Sequence, residues 1–146
     1  MDFEYSDKWN EQVRHANEEA LQLFKEDLVS SGLAAKTISR HLMNADLFIN
    51  SFLLDYEGLT FEEGIAAIDS FMGSFFIRKC MWSTPASIKS TSISIRKFYK
   101  CMLDHEKIRK DDYSFLCSII KESIEEWQYT CELYNDPDKS NPFDFF

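Results

Sequence analysis

The sequence predicts an all-α protein, a single helical bundle of about five helices. Three observations lead there. Apolar residues recur at three- and four-residue steps through most of the chain, the period of a helix with one buried face. Only four Gly and three Pro occur among 146 residues, too few turn formers for the many tight connections of a β-sandwich or barrel. Hydrophobic residues make up 45% and aromatics 15%, so a chain of this length can bury a core without staples.

The first helix is expected from about Asp7 to Val29, with Trp9, Val13, Ala16, Ala20, Leu23 or Phe24, and Leu28 on its inner face. Ser30-Ser31-Gly32 ends it, Gly32 being suited to a left-handed cap. The second runs from about Ala35 to Leu54, with Ile38, Leu42, Ala45, Phe48 or Ile49, and Phe52 on one side, and stops at Gly58. Thr60 followed by Glu62 and Glu63 reads as a capped start for the third. That helix carries Ile65, Ile68, Phe71, Met72, Phe75 and Phe76 up to a break at Trp82-Ser83.

Ser83-Thr84-Pro85 is a helix-start signal, since a hydroxyl caps free N–H groups and Pro sits where a missing donor costs nothing. The fourth helix then extends to about Asp104 and buries Ile88, Ser92, Ile95, Phe98 or Tyr99, and Met102. Lys89, Arg96 and Lys100 fall on another flank as a basic ridge. After Asp111-Asp112 a fifth helix, from about Asp112 to Leu133, turns Phe115, Ile119, Ile120, Ile124 and Trp127 inward. Residues 1–134 form one helical domain and 135–146 an acidic, aromatic tail, whose Phe143, Phe145 and Phe146 either dock on the domain or stay open to a partner.

The net charge of -9 argues against a polyanionic ligand, but the average hides the layout. Between Phe76 and Lys110 nine Lys and Arg face only Asp104 and Glu106, giving +7, and the remainder sums to -16. Such segregation fits a basic face on an acidic body, or more simply a solvated helix face rich in Lys and Arg.

Met1 to Asp7 lacks the basic start and apolar run of a secretory signal, and the densest apolar stretch, Leu47 to Leu54, is short and interrupted. A soluble, cytoplasmic protein without a membrane partner is expected. Cys80, Cys101, Cys117 and Cys131 contain no CxxC pair and read as packed, reduced thiols. His15, His41 and His105 lie far apart with no HExxH or Cys/His ligand spacing, so no metal is expected. Asp136 to Ser140 imitates a calcium loop but has Asn141 for the turn Gly and no closing Glu. Ser94-Ile95-Arg96-Lys97 spells SxxK without its companion motifs, and no glycine-rich phosphate loop occurs. No catalytic residue, cofactor or small-molecule substrate is therefore expected.

The middle of the chain resembles the core-binding domain of tyrosine recombinases and phage integrases, a small helical domain often called SAM-like. Ser31-Gly32-Leu33-Ala34-Ala35-Lys36-Thr37-Ile38, with Asn44 through Phe48, is similar to that family's G-L-S-x-x-T start of the second helix and the following L-x-x-F. Thr84-Pro85-Ala86-Ser87-Ile88-Lys89 with Ile95-Arg96-Lys97-Phe98-Tyr99-Lys100 is similar to its last helix, with L-R-x-F-Y, and Leu103 to Ile108 to its exit. The resemblance spans roughly residues 20 to 110. It implies a DNA clamp in which Lys36, Thr37 and Arg40 on the second helix, and Lys89, Ser90, Lys97 and Lys100 on the fourth, meet the phosphates of double-stranded DNA. Lys and Arg release condensed counterions, and hydroxyls and helix N-termini donate to phosphate oxygens.

The departures bear on function too. Strand cleavage in that family needs a Tyr, Arg and His set from a separate C-terminal domain, for which the dozen residues after the fifth helix leave no room. Arg109-Lys110-Asp111-Asp112 replaces the family's Asn-Pro exit and opens a helix bearing Glu122, Glu125, Glu126 and Glu132. The expectation is a non-catalytic DNA-binding or accessory domain of a recombination or integration system. The alternative is an acidic module that kept the fold and meets a protein, or another copy of itself, through the first and fifth helices or the tail.

Overall fold

The computed structural model describes residues 3–144, and side chains from Ser6 onward. Five helical segments follow one another: α1, Phe3–Ser30; α2, residues 35–57; α3, residues 65–79; α4, Pro85–Asp104; and α5, Lys110–Asn135. No strand occurs among the described residues, and no helix among them is long and apolar enough to cross a membrane. The chain is all-α.

Local chemistry sets most of the breaks. Gly32 (φ 76°) and Gly58 (φ 71°) stand in the left-handed region just past α1 and α2, where a side chain would be strained. Thr84 caps α4: its Oγ1 accepts from Ser87 N at 3.0 Å while its own N–H donates to Ser87 Oγ at 2.7 Å, and Pro85 opens the helix. At the far end of α4 Glu106 is left-handed (φ 59°) and Lys107 N donates to Met102 O at 2.8 Å. Arg109 N then donates to Asp112 Oδ2 at 3.1 Å, so α5 begins at Lys110, two residues before the expected start.

The interior of α2 and α3 departs from a plain α-helix. α2 changes from α-helical (Ala35–Asp46) to π-helical (Leu47–Glu57). Phe48, Ile49, Asn50, Phe52, Leu53 and Leu54 are all buried there, a wider band than one helical stripe, while Ser51, Asp55, Tyr56 and Glu57 are exposed. Thr60 and Glu63 do form the reciprocal cap, with Glu63 N on Thr60 Oγ1 at 3.2 Å and Thr60 N on Glu63 Oε1 at 3.1 Å. They cap only a turn, and α3 starts at Ile65 in a 3-10 turn and passes through a π-helical stretch at Phe71–Phe75.

One contiguous core joins all five helices, and α4 runs through its middle, packed on α1, α2 and α5. Phe71 lies 5.1 Å, centroid to centroid, from both Phe48 and Phe52. Tyr99 is fully buried and its hydroxyl donates to Phe61 O at 2.7 Å. Each such aromatic contributes about 1.5–3 kcal/mol by leaving water. The inner face expected for α4 is buried as expected.

Two expected core positions are exposed. Ala16 faces solvent while Asn17 is buried, its Nδ2 donating to Asn50 Oδ1 at 2.7 Å: an interhelical amide contact replaces an apolar one. Phe115 is exposed and Leu116 takes the core place, because the axis of α5 over α4 sets which of the two neighbours points inward. The four thiols are free, with Cys80, Cys101 and Cys131 buried. In the tail, Phe143 docks against Tyr134, ring centroids 5.8 Å apart, under the Arg78 guanidinium at 5.6 Å. Phe145 and Phe146, like Met1 and Asp2, lie outside the described residues.

Candidate nucleic-acid interface

α2 and α4 pack against each other, so their outer edges bring the basic residues of two distant sequence segments side by side. Arg40 from α2 and Lys89 and Ser90 from α4 line one shallow groove of about 200 Å³, with Ala86, Ile93 and the edge of His41. No carboxylate lines it. Lys36 precedes Arg40 by four residues and so shares its side of α2; both are exposed, and Thr37 is half-buried beside them. No side chain caps the start of α2, which leaves its first N–H groups available to an anion.

A second groove of about 420 Å³ lies farther along α4, between it and the end of α1. Lys97 and Lys100 line it together with Asp27, Asp104 and Cys101. Lys100 Nζ is 2.8 Å from Asp104 Oδ1. Among the described residues Lys36, Arg40, Lys89 and Lys97 take part in no ion pair. Arg96, the middle of the expected ridge, is exposed, and its charge opposes the burial-driven rise of the Tyr113 pKa on α5. The structure thus groups Arg40, Lys89 and Ser90, sets Lys36 and Thr37 beside them on α2, and places Lys97 and Lys100 in the second groove with carboxylates.

Beneath the first groove lies a buried polar cluster. His41 Nδ1 is 2.7 Å from Ser94 Oγ, Asn44 Nδ2 donates to that oxygen at 3.0 Å, and Ser90 O lies 3.2 Å from it. The hydroxyl has one proton for two acceptors, Ser90 O and His41 Nδ1, so its choice sets the imidazole tautomer. Burial lowers the His41 pKa, and the charges of Arg40 and Lys97 lower it further. His41 is therefore neutral near pH 7 and feels one cation from each of the two helices.

A further constellation escaped the sequence. Asp27, Cys101 and His105 bring one ligand atom each to within 4.8 Å of one another. Burial and the neighbouring Asp27 push the Cys101 thiol far above its usual pKa. Asp27 is held below the usual carboxylate range, chiefly by that thiol and then by His105. The available signal was the spacing of Cys101 and His105, four apart across the carboxyl end of α4. A search for CxxC or HExxH passes over it, and Asp27 lies 78 positions from its histidine.

Comparison of the chain with protein-family models, with curated protein sequences and with solved structures finds no match.

Proposed function

We propose that the protein is a non-catalytic domain that binds double-stranded DNA through phosphate contacts, as an accessory to a recombination or integration system, in keeping with its resemblance to recombinase core-binding domains. The observation that carries this is the carboxylate-free groove in which Arg40 of α2 and Lys89 of α4 converge. Lys36 extends the positive edge on α2, Lys97 adds an unpaired cation farther along α4, and Ser90, Thr37 and the uncapped start of α2 supply neutral donors. The acidic remainder of the molecule lowers affinity, but charges beyond about 10 Å are largely screened at 0.1 M salt.

The test is fluorescence anisotropy of a labelled duplex titrated with the protein at several salt concentrations. Log affinity should fall by about 0.9 per log unit of salt for each phosphate neutralised. Reversing Arg40 and Lys89 together should remove at least one such increment from the slope. Absence of binding at low salt, or a slope and affinity unchanged by the double reversal, overturns the proposal.

A second reading has its own observation. Phe115 and Tyr129 are exposed on α5 at 53% and 61%, among the exposed Glu122, Glu125 and Glu126, which suits a protein partner or a second copy better than a solvated helix. Sedimentation equilibrium showing a monomer, with Phe115→Ser and Tyr129→Ser leaving any captured partner bound, excludes this use of α5.

A further inference from the structure

The last turn of α1 meets the last turn of α4, and three side chains of different donor chemistry converge there. Cys101 in the last turn of α4 and His105 at its C-cap bring Sγ and an imidazole nitrogen close together. Asp27 of α1 faces them, its two oxygens 3.2 and 3.3 Å from His105 Nε2. It is the one such group among the described residues. We propose that Asp27, Cys101 and His105 form a binding site for a zinc-type divalent ion, a claim independent of the DNA reading.

The geometry suits a tetrahedral ion. Bonds of about 2.0–2.3 Å from one centre to N, O and S ligands place those ligands roughly 3.3–3.7 Å apart. The His105 to Asp27 pair already spans such an edge, and the full set, within 4.8 Å, closes on an ion with a shift of about 1 Å. The mixture of sulfur, imidazole and carboxylate selects zinc or its neighbours over calcium or magnesium, which take oxygen alone. The side chains of His105 and Asp27 are 36% and 41% exposed, so an ion has a path in, while buried Cys101 holds it at depth.

Binding exchanges one proton: the Cys101 thiol releases its hydrogen to solvent and the thiolate takes up the metal bond. Thiolate and carboxylate then balance the two positive charges, so the loaded site is neutral and the nearby Lys97 and Lys100 do not oppose it. Asp27 and Cys101 both border the second groove, from which water reaches the fourth position. The ion would tie the carboxyl ends of α1 and α4 together.

The experiment is titration of untagged, chelator-treated protein with Co²⁺, read by visible and near-ultraviolet absorption, followed by Zn²⁺. A single equivalent of Co²⁺ should give tetrahedral d–d bands and a thiolate-to-cobalt charge-transfer band, both erased by Zn²⁺. Cys101→Ser should abolish the charge-transfer band, His105→Gln and Asp27→Asn should each weaken affinity by at least about tenfold, and Cys117→Ser should change nothing. Because Cys101 is buried, circular dichroism accompanies its variant, and the half-exposed His105→Gln keeps the test decisive if Cys101→Ser does not fold. Lack of a charge-transfer band in the unmutated protein, its survival in folded Cys101→Ser, or undiminished affinity in His105→Gln overturns the proposal.

Discussion

The two grooves along α4 are built from the same helix and the same kind of residue, yet they differ in chemistry. At the amino end, Lys89 and Ser90 face α2, which contributes Arg40 and no carboxylate. At the carboxyl end, Lys97 and Lys100 face the end of α1, which contributes Asp27, while α4 itself adds Asp104. The helix opposite decides whether a groove gains a cation or a carboxylate, Arg40 from α2 in the first and Asp27 from α1 in the second, while Lys100 itself is paired one turn along its own helix with Asp104. The first groove is an open cationic edge; the second is a mixed site whose acids and thiol suit a metal ion.

The largest expected effect tests that contrast directly. Arg40→Glu with Lys89→Glu should weaken duplex binding by roughly a hundredfold, from two lost charge-assisted contacts at about 1.5 kcal/mol or more each. Lys100→Glu, measured in the same anisotropy titration, should change affinity by less than about threefold, since a screened surface pair with Asp104 already occupies that lysine. Equal losses from the two variants would erase the distinction between the grooves.

Beneath the first groove, Ser94→Ala should cost about 1–3 kcal/mol in urea denaturation, because Asn44 loses its acceptor and buried His41 its hydrogen-bond partner. A smaller effect follows from pH. The folded pKa of His41 lies below its unfolded value of about 6.5, so the unfolded chain takes up the proton more readily. The stability contributed by the neutral form is present above about pH 6.5 and is lost as pH falls toward the folded pKa. Unfolding at pH 7.5 and 5.5 should show this loss, and His41→Gln should lack it. Asp27, also depressed, acts only as pH falls below the ordinary carboxylate value of 3.8, outside that window.

The smallest effect concerns the second groove. Asp104→Asn releases Lys100 and removes a carboxylate, so duplex affinity should rise by about twofold to threefold, less than 1 kcal/mol. No gain in the anisotropy titration would mean that Lys100 lies outside the reach of the duplex even when unpaired.

Much of the fold was legible because its signals are local. A glycine that accepts a positive φ, a threonine before a proline, and an apolar stripe at helical period act through near neighbours, so Gly32, Gly58, Thr84 and the inner face of α4 stand where the pattern places them. The segregation of +7 in one segment was legible for the same reason: it is a property of the chain.

Tertiary packing alone decided the rest. Phe115 and Leu116 are adjacent and both apolar, and only the seating of α5 on α4 chose between them. A buried band wider than one helical stripe, Phe48 to Leu54 with Ser51 alone exposed, accompanies the π-helical half of α2. Above all, which groups share a groove depends on helices distant in sequence: Arg40 joins Lys89, and Asp27 joins His105 and Cys101, only because the helix axes cross where they do. Periodicity assigns a residue to a face of its own helix, but Coulomb and coordination contacts act over a few ångströms of space, which the order of residues along the chain does not encode.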